Sequence, residues 1–300
     1  MSSKEQFEAV NDGLLVRAPA KINLSLLIAG KRPDGFHEIE TVMAKVDFYD
    51  EILIEPGQKA GIELLCRGPH WAPERKDNLV YQACEMLLNS SGQHADIKIT
   101  LTKNIPAGSG LASASSDAAA TLIGLNKYLN LELPNHRLAK LAEKLGSDVA
   151  FFLDGPLAFC TGKGEKIKKL TEIFDFSALL ILPDVSVSTK KVYANYRHNA
   201  SVYEQFSARI NSYVREKRFD LVLGMCANML QTSSFSLYRE LAELKARIES
   251  LGIRPLCLSG SGSALFFIID SKEEKRARKD KCKLDERIGC TSIIISNNMW

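Results

Sequence analysis

The stretch Ile105-Pro106-Ala107-Gly108-Ser109-Gly110-Leu111-Ala112-Ser113-Ala114-Ser115-Ser116-Asp117 joins a strand-like segment to a helix-like one. Upstream, Asp96 to Thr102 sets Ile97, Ile99 and Leu101 on one face and Lys98 and Thr100 on the other, the period of a half-buried strand. Downstream, an alanine-rich run from about Ser116 to Leu129 favours a helix. Glycines between the two let the backbone turn sharply and approach a ligand without a Cβ in the way. The free N–H groups at the helix start, with their partial positive charge, suit a phosphate. Ser115 and Ser116 add hydroxyls that can bond phosphate oxygens or Mg²⁺. The loop is not a Walker loop, because no Gly-Lys-Ser/Thr follows, and Ser113 stands at the third glycine position of G-x-G-x-x-G. A plain turn with Ser116 as helix N-cap accounts for the same residues without any ligand.

Around this loop the chain alternates strands and helices. Leu14 to Gly30 is strongly apolar, and Glu51 to Glu55 and Ile62 to Cys66 have the alternation of further strands. A helical pattern opens at Asp77-Asn78 and ends at Ser90-Ser91-Gly92; a short amphipathic helix follows at Asn135 to Leu145. A hairpin is expected around Leu157 to Ile167, then a strand at Ala178 to Leu182. The second half reads as mainly helical at Val202 to Arg215, Phe219 to Leu230 and Leu237 to Leu251. It closes with a strand–turn–strand at Pro255 to Asp270, a charged helix over residues 272 to 287, and a strand at Thr291 to Ser296. Length alone, 300 residues, suggests two domains, and the boundary is expected near residue 170.

Composition excludes several classes. With 45% hydrophobic and 25% charged residues, the chain has ample material for a core and none of the apolar depletion of a disordered protein. Apolar runs such as Phe266-Phe267-Ile268-Ile269 are far too short to span a bilayer. The polar start, Met1 to Gly13, lacks a secretory pattern, and seven scattered cysteines without a C-x-x-C pair are expected to be reduced thiols of a cytoplasmic protein. His37-Glu38 begins like a zinc motif, but Thr41 stands where the second histidine is required. The net charge of +3 resides wholly in residues 272 to 287, where eight basic and five acidic residues alternate as on a solvated helix face. No nucleic-acid or membrane partner is expected from it.

Three other segments bear on the loop. Ala18-Pro19-Ala20-Lys21-Ile22-Asn23 puts a lysine and an amide inside an apolar strand, although a solvated edge lysine would read the same. Arg32-Pro33-Asp34-Gly35-Phe36-His37-Glu38 is a turn followed by an aromatic, a histidine and a carboxylate. Gly146-Ser147-Asp148 presents an aspartate before the apolar run Val149 to Phe152, where a helix cap is the simple alternative.

Taken in order, these segments resemble the GHMP kinase superfamily. So do Asp77-Asn78-Leu79, Gly162-Lys163-Gly164-Glu165, Ser188-Thr189 and Ser259-Gly260-Ser261-Gly262. Asp34-Gly35-Phe36-His37-Glu38 points to the branch with a cytidyl substrate. Ala112-Ser113-Ala114 replace three usual glycines, as in mevalonate-branch members; Phe36 replaces a usual tyrosine and Ala150 a usual proline.

The resemblance implies an α+β, two-domain fold: an N-terminal mixed domain over residues 1–170 carries the phosphate loop. A C-terminal ferredoxin-like domain over 171–300 faces it across an active-site cleft. It implies an ATP-dependent small-molecule kinase that uses Mg²⁺ and phosphorylates the 2-hydroxyl of a cytidine-diphosphate-linked methylerythritol. Asp148 would be the general base and Lys21 its cationic partner, while residues 106–116 would hold the ATP phosphates. Ser116 would contact Mg²⁺, and Asp77 and Asn78 would lie near the nucleotide base. Asn23, Phe36, His37, Thr189, Tyr193, Gly260 and Gly262 would hold the acceptor, with Phe36 and Tyr193 sandwiching its base. Another GHMP kinase, acting on mevalonate, phosphomevalonate, homoserine or a sugar, is the alternative enzyme; a non-catalytic nucleotide- or nucleic-acid-binding protein is the alternative outside catalysis.

Overall fold

The computed structural model describes residues 5–170, 175–269, 273–298 and 300. The expected boundary near 170 abuts residues outside this set, as do the expected element ends at Asp270 and at residue 272. In chain order the first strands are β1 (Phe7–Val10), β2 (Gly13–Lys31), β3 (His37–Pro56) and β4 (Ile62–Arg67). Helix α1 (Leu79–Ser91), β5 (Ile97–Thr102), α2 (Ser113–Tyr128), α3 (Asn135–Leu145), β6 (Leu157–Gly162) and β7 (Lys166–Lys169) follow. The remainder comprises β8 (Ser177–Leu182), α4 (Thr189–Asn195), α5 (Ala200–Arg215), α6 (Phe219–Met225), α7 (Gln231–Leu237), α8 (Arg239–Ser250), β9 (Cys257–Leu258), β10 (Leu265–Ile269), α9 (Glu274–Arg287) and β11 (Thr291–Ser296).

Two sheets organise these elements. The first runs β1-β2-β3-β5-β4, with β6 joined to β3 and β7 to β6; β4 and β5 are parallel and the other pairs antiparallel. The second is antiparallel in the order β11-β8-β10-β9. Numbered within its own β-α-β-β-α-β run, that order is the ferredoxin-like one.

Strand β2 is buried on both faces for most of its length, so it reads as a continuous apolar run and not as an alternating one. Its register against β3 shifts between Pro19 and Ala20. Before the shift Val16 and Ala18 face a core shared with α1, α2 and α3; after it Ala20, Ile22 and Leu24 face a second core with β8, β10, α5 and α6. The offset changes by two residues there, since Pro19 stands against Tyr49 and Ala20 against Val46. Lys21 and Asn23 alternate with Ala20, Ile22 and Leu24, on the face away from the second core. Helix α2 reaches the sheet closely because it is built of alanine and glycine: a Cβ on Gly124 would lie 2.6 Å from Val16 Cγ2 and 2.8 Å from Ile54 Cδ1.

Helices α8 and α9 cover the outer face of the second sheet, where Ile248, Ala277 and Leu284 pack on Leu179, Ile181 and Phe267. Some charges of α9 pair within the helix, as Lys281 with Asp285 at 2.7 Å and Lys283 with Asp280 at 2.9 Å.

Several expectations change. The helix expected to run on to Leu230 ends at Met225, because Cys226 takes a left-handed turn at φ 45°. The expected helix from Leu237 to Leu251 is α8, and a separate, unexpected helix, α7, ends at Leu237. Not all cysteines are free thiols: Cys226 and Cys257, 31 residues apart in sequence, form a disulfide with Cα atoms 5.1 Å apart. Cys66, Cys84, Cys160, Cys282 and Cys290 are free. Among the described residues no helix is long and apolar enough to cross a membrane.

Candidate active site

A cavity of about 800 Å³ opens where the phosphate loop meets β2, the β6–β7 hairpin, α4 and the β9–β10 turn. Its loop wall is Pro106, Ala107, Gly108, Ser109, Gly110, Ala112, Ser113, Ala114 and Ser115. Among the described residues the backbone N–H groups of residues 107 to 112 have no acceptor, which leaves a run of donors for a ligand. Gly110 cannot be replaced without strain: its φ is +79°, and a Cβ there would lie 2.2 Å from the Ser259 carbonyl oxygen. The β9–β10 turn presses on the loop from that side. Ser259 Oγ donates to Gly110 O at 3.0 Å, and Ala264 N donates to Ser109 O at 2.9 Å.

Lys21 is buried, at 4% exposure, and its Nζ donates to Asn23 Oδ1 at 2.5 Å and to Gly110 O at 2.8 Å. Asn23 in turn donates to Thr41 Oγ1 at 2.8 Å, which fixes the amide with its oxygen toward the lysine. Burial holds the Lys21 ammonium below the ordinary lysine range, and the negative charge of Asp148 acts against that. The two groups share the cavity and interact through space; the hydrogen bonds of Lys21 go to Asn23 and Gly110, and not to Asp148. Asp148 is half-buried on the cavity wall, with its Oδ1 3.5 Å from where a Cβ on Gly164 would be.

Phe36, His37, Thr189, Tyr193 and Gly260 also line the cavity. His37 and Tyr193 pack ring on ring at 5.2 Å, and burial raises the Tyr193 hydroxyl above its ordinary range. Phe36 is 57% exposed and its ring lies under Lys163 Nζ at 4.7 Å. Thr189 Oγ1 and Ser261 Oγ are 2.9 Å apart, tying α4 to the β9–β10 turn.

Some expected residues are placed differently. Leu111 is fully buried in the second core, and its contribution is backbone: its carbonyl accepts from Lys21 N at 3.1 Å. Gly262 does not line the cavity; it serves the turn, at φ +90°, with Leu258 Cδ1 3.0 Å from where its Cβ would be. Ser116 is not the N-cap of α2. The helix begins at Ser113 behind Ala112, which adopts φ 55°. Ser116 is wholly buried and stands off the cavity wall, and its Oγ has no partner among the described residues. Asp77 and Asn78 both border the cavity, but the Asn78 amide is committed: it accepts from Val80 N at 2.9 Å and donates to Pro73 O at 2.8 Å, capping α1.

Sequence reasoning missed other wall residues. Trp71, 74% exposed, borders the end near Asp77, while Lys163 and Lys190 flank the end near Phe36 and Thr189. Lys103 reaches the floor, held in a buried cluster by Asp50, Ser113 and, at 2.6 Å, Asp117. Gly162-Lys163-Gly164 could have flagged Lys163 as a side chain on a tight turn; Trp71 sits in no pattern.

A glycine loop with unpaired N–H groups at a helix N-terminus, facing a buried lysine and an aspartate across one cavity, defines a phosphotransferase architecture. Comparison with known proteins agrees. Residues 78–156 match the family "GHMP kinases N terminal domain" and residues 210–286 match "GHMP kinases C terminal". The chain is 38% identical over 256 residues to a 4-diphosphocytidyl-2-C-methyl-D-erythritol kinase of a Geobacillus species (strain WCH70), covering 85% of this chain and 88% of that protein. A protein of the same name from Bacillus cereus is 36% identical over the same shares. A crystal structure of 4-(cytidine 5'-diphospho)-2C-methyl-D-erythritol kinase superposes with a TM-score of 0.73 at 30% identity, over 95% of this chain and 100% of the other. A homoserine kinase from Cytophaga hutchinsonii superposes at 0.74 with 20% identity, over 99% of this chain and 98% of the other, a likeness of fold. The chain belongs to the GHMP kinase family and is an ATP-dependent small-molecule kinase.

Proposed function

We propose that this protein transfers the γ-phosphoryl group of ATP to the 2-hydroxyl of 4-diphosphocytidyl-2-C-methyl-D-erythritol, a step of non-mevalonate isoprenoid precursor synthesis in the cytoplasm. The observation that carries the proposal is one cavity holding the donor-rich loop at one side and Phe36, His37 and Tyr193 at the other, with Lys21 and Asp148 also on its walls. It is supported by the 36–38% identity to relatives named for that activity.

In this reading the N–H groups of residues 107 to 112 and the start of α2 hold the ATP phosphates. Trp71 and Asp77 border the nucleotide base, and Asn78 shapes that end as the cap of α1. Asp148 takes the proton of the acceptor hydroxyl as its oxygen bonds to the γ-phosphorus and the bond to the β–γ bridging oxygen breaks. Lys21, fixed by Asn23 and Gly110, stabilises the charge on the transferred group. His37 and Tyr193 hold the base of the acceptor, with Phe36 stacking on it. Thr189 and the turn around Gly260 and Gly262 close the acceptor side.

Mg²⁺ would be held at the same end by the cavity hydroxyl of Ser115, and not by the Oγ of Ser116, which is wholly buried, off the cavity wall, and does not reach that end. When bound with ATP it neutralises phosphate charge. The same reading divides the chain near residue 170, with the loop-bearing sheet before that point and the four-stranded sheet after it.

The test is Asp148→Asn. Turnover of the cytidyl acceptor is expected to fall by about a thousandfold or more, the scale of a lost general base, with the Kd for ATP within twofold of the parent. Retention of a tenth or more of the activity would remove Asp148 as the base.

A further inference from the structure

The proposed acceptor runs from a base, through a diphosphate, to the alcohol that is phosphorylated. Its diphosphate must therefore lie between the aromatic end of the cavity and Asp148. The N–H donors of the 107–112 loop serve the other nucleotide, so two further negative charges need their own cations.

The β6–β7 hairpin spans that interval. Its tip, Gly162-Lys163-Gly164-Glu165, is a tight turn closed by Gly164 N donating to Thr161 O at 3.1 Å. Gly164 approaches Asp148 Oδ1, while the neighbouring Lys163 reaches the other way, over the Phe36 ring at 4.7 Å. One residue of this tip thus adjoins the reacting end and the next adjoins the base end. Lys190, next to Thr189 at the start of α4, lines the same cavity.

These are the two uncommitted cations of the cavity wall. Lys21 is spent on Asn23 and Gly110, and Lys103 on Asp50, Asp117 and Ser113. Among the described residues no carboxylate lies within 4.0 Å of the ammonium of Lys163 or Lys190. Asp34, which feels the charge of Lys163, is itself paired with Arg32 at 3.3 Å.

We propose that Lys163, together with Lys190 of the same cavity, binds the acceptor's diphosphate and selects a nucleoside-diphosphate-linked alcohol over an uncharged one. This rests on the acceptor class proposed above. Lys163 lies over Phe36, whose ring face offsets some of the cation's charge. When the acceptor enters, the base takes the ring and the ammonium turns to the phosphate oxygens, so one side chain links base binding to diphosphate binding.

The experiment titrates wild type, Lys163→Gln, Lys163→Arg and Lys190→Gln with CDP and with cytidine by calorimetry. Wild type is expected to bind CDP more tightly than cytidine. Lys163→Gln and Lys190→Gln should each weaken CDP by about tenfold, the worth of one charge-assisted contact, and leave cytidine within twofold; Lys163→Arg should keep CDP affinity. In turnover, Lys163→Gln should raise KM for the cytidyl acceptor by about tenfold, with KM for ATP unchanged. Unchanged CDP affinity in Lys163→Gln would overturn the proposal, as would equal weakening of CDP and cytidine or no wild-type preference for CDP. If wild type fails to phosphorylate the cytidyl acceptor, the acceptor assignment falls while the binding arms still decide the diphosphate site.

Discussion

Lys45 lies on β3 opposite Lys21 on β2 and is 2% exposed, with its Nζ donating to Phe152 O at 3.1 Å. Burial lowers its pKa from 10.5 to about 7, and no carboxylate offsets this. The difference corresponds to roughly 5 kcal/mol at about 1.4 kcal/mol per pH unit. Between about pH 7 and 10.5 the unfolded chain holds the proton and the folded chain does not. Unfolding therefore takes up a proton in that window, and stability rises with pH by about 1.4 kcal/mol per unit from this residue alone. Below about pH 7 both states are charged and the cost is full and constant.

Lys45→Met keeps the length of the side chain and removes the charge. At pH 7 it should gain roughly 4 kcal/mol from the lost ionisation cost and forfeit about 1 kcal/mol for the Phe152 contact, a net stabilisation of about 3 kcal/mol. The gain should vanish as pH approaches 10. Urea unfolding of parent and variant at pH 6, 7.5 and 9 measures this. Curves that stay parallel across pH, or a variant less stable throughout, would refute a lysine desolvated beside the site.

Three further outcomes are expected. Gly110→Ala should lower Tm and weaken ATP binding, because the left-handed φ costs about 1–2 kcal/mol and the new Cβ meets the Ser259 carbonyl; Tm and ATP titration check both. Alkylation of the denatured protein without reductant should label five thiols, and all seven after reduction, since Cys226 and Cys257 are paired; seven without reductant would contradict the pairing. Exchange of Lys275 and Lys279 on α9 for glutamine should leave kcat/KM unchanged, because the cavity is lined by other elements; a large loss would make that helix part of the site.

Local periodicity was legible where one face of an element is buried. Asn135 to Leu145 and Thr291 to Ser296 form as their patterns read. Strand β3 was not legible from His37 onward, because β2 and β6 flank it and both its faces are covered, so alternation is lost. The register shift after Pro19 leaves no mark in composition. Ser116 looked like a cap because serine is a good one; the backbone instead turns at Ala112, four residues earlier. The disulfide joins residues far apart in sequence, and Trp71, Lys163 and Lys190 reach the cavity only through tertiary folding. Lys21, Asp148 and the loop were readable because each interrupts an apolar or helical pattern with chemistry that the pattern does not need.

The acceptor decides the account. Purified protein with Mg·ATP, offered the cytidyl methylerythritol, mevalonate, phosphomevalonate, homoserine and a hexose in parallel, should consume ATP with the first at a kcat/KM at least about a hundredfold above the rest, the scale set by two charge-assisted contacts. Equal consumption with mevalonate or homoserine, or none with the cytidyl compound, would contradict it.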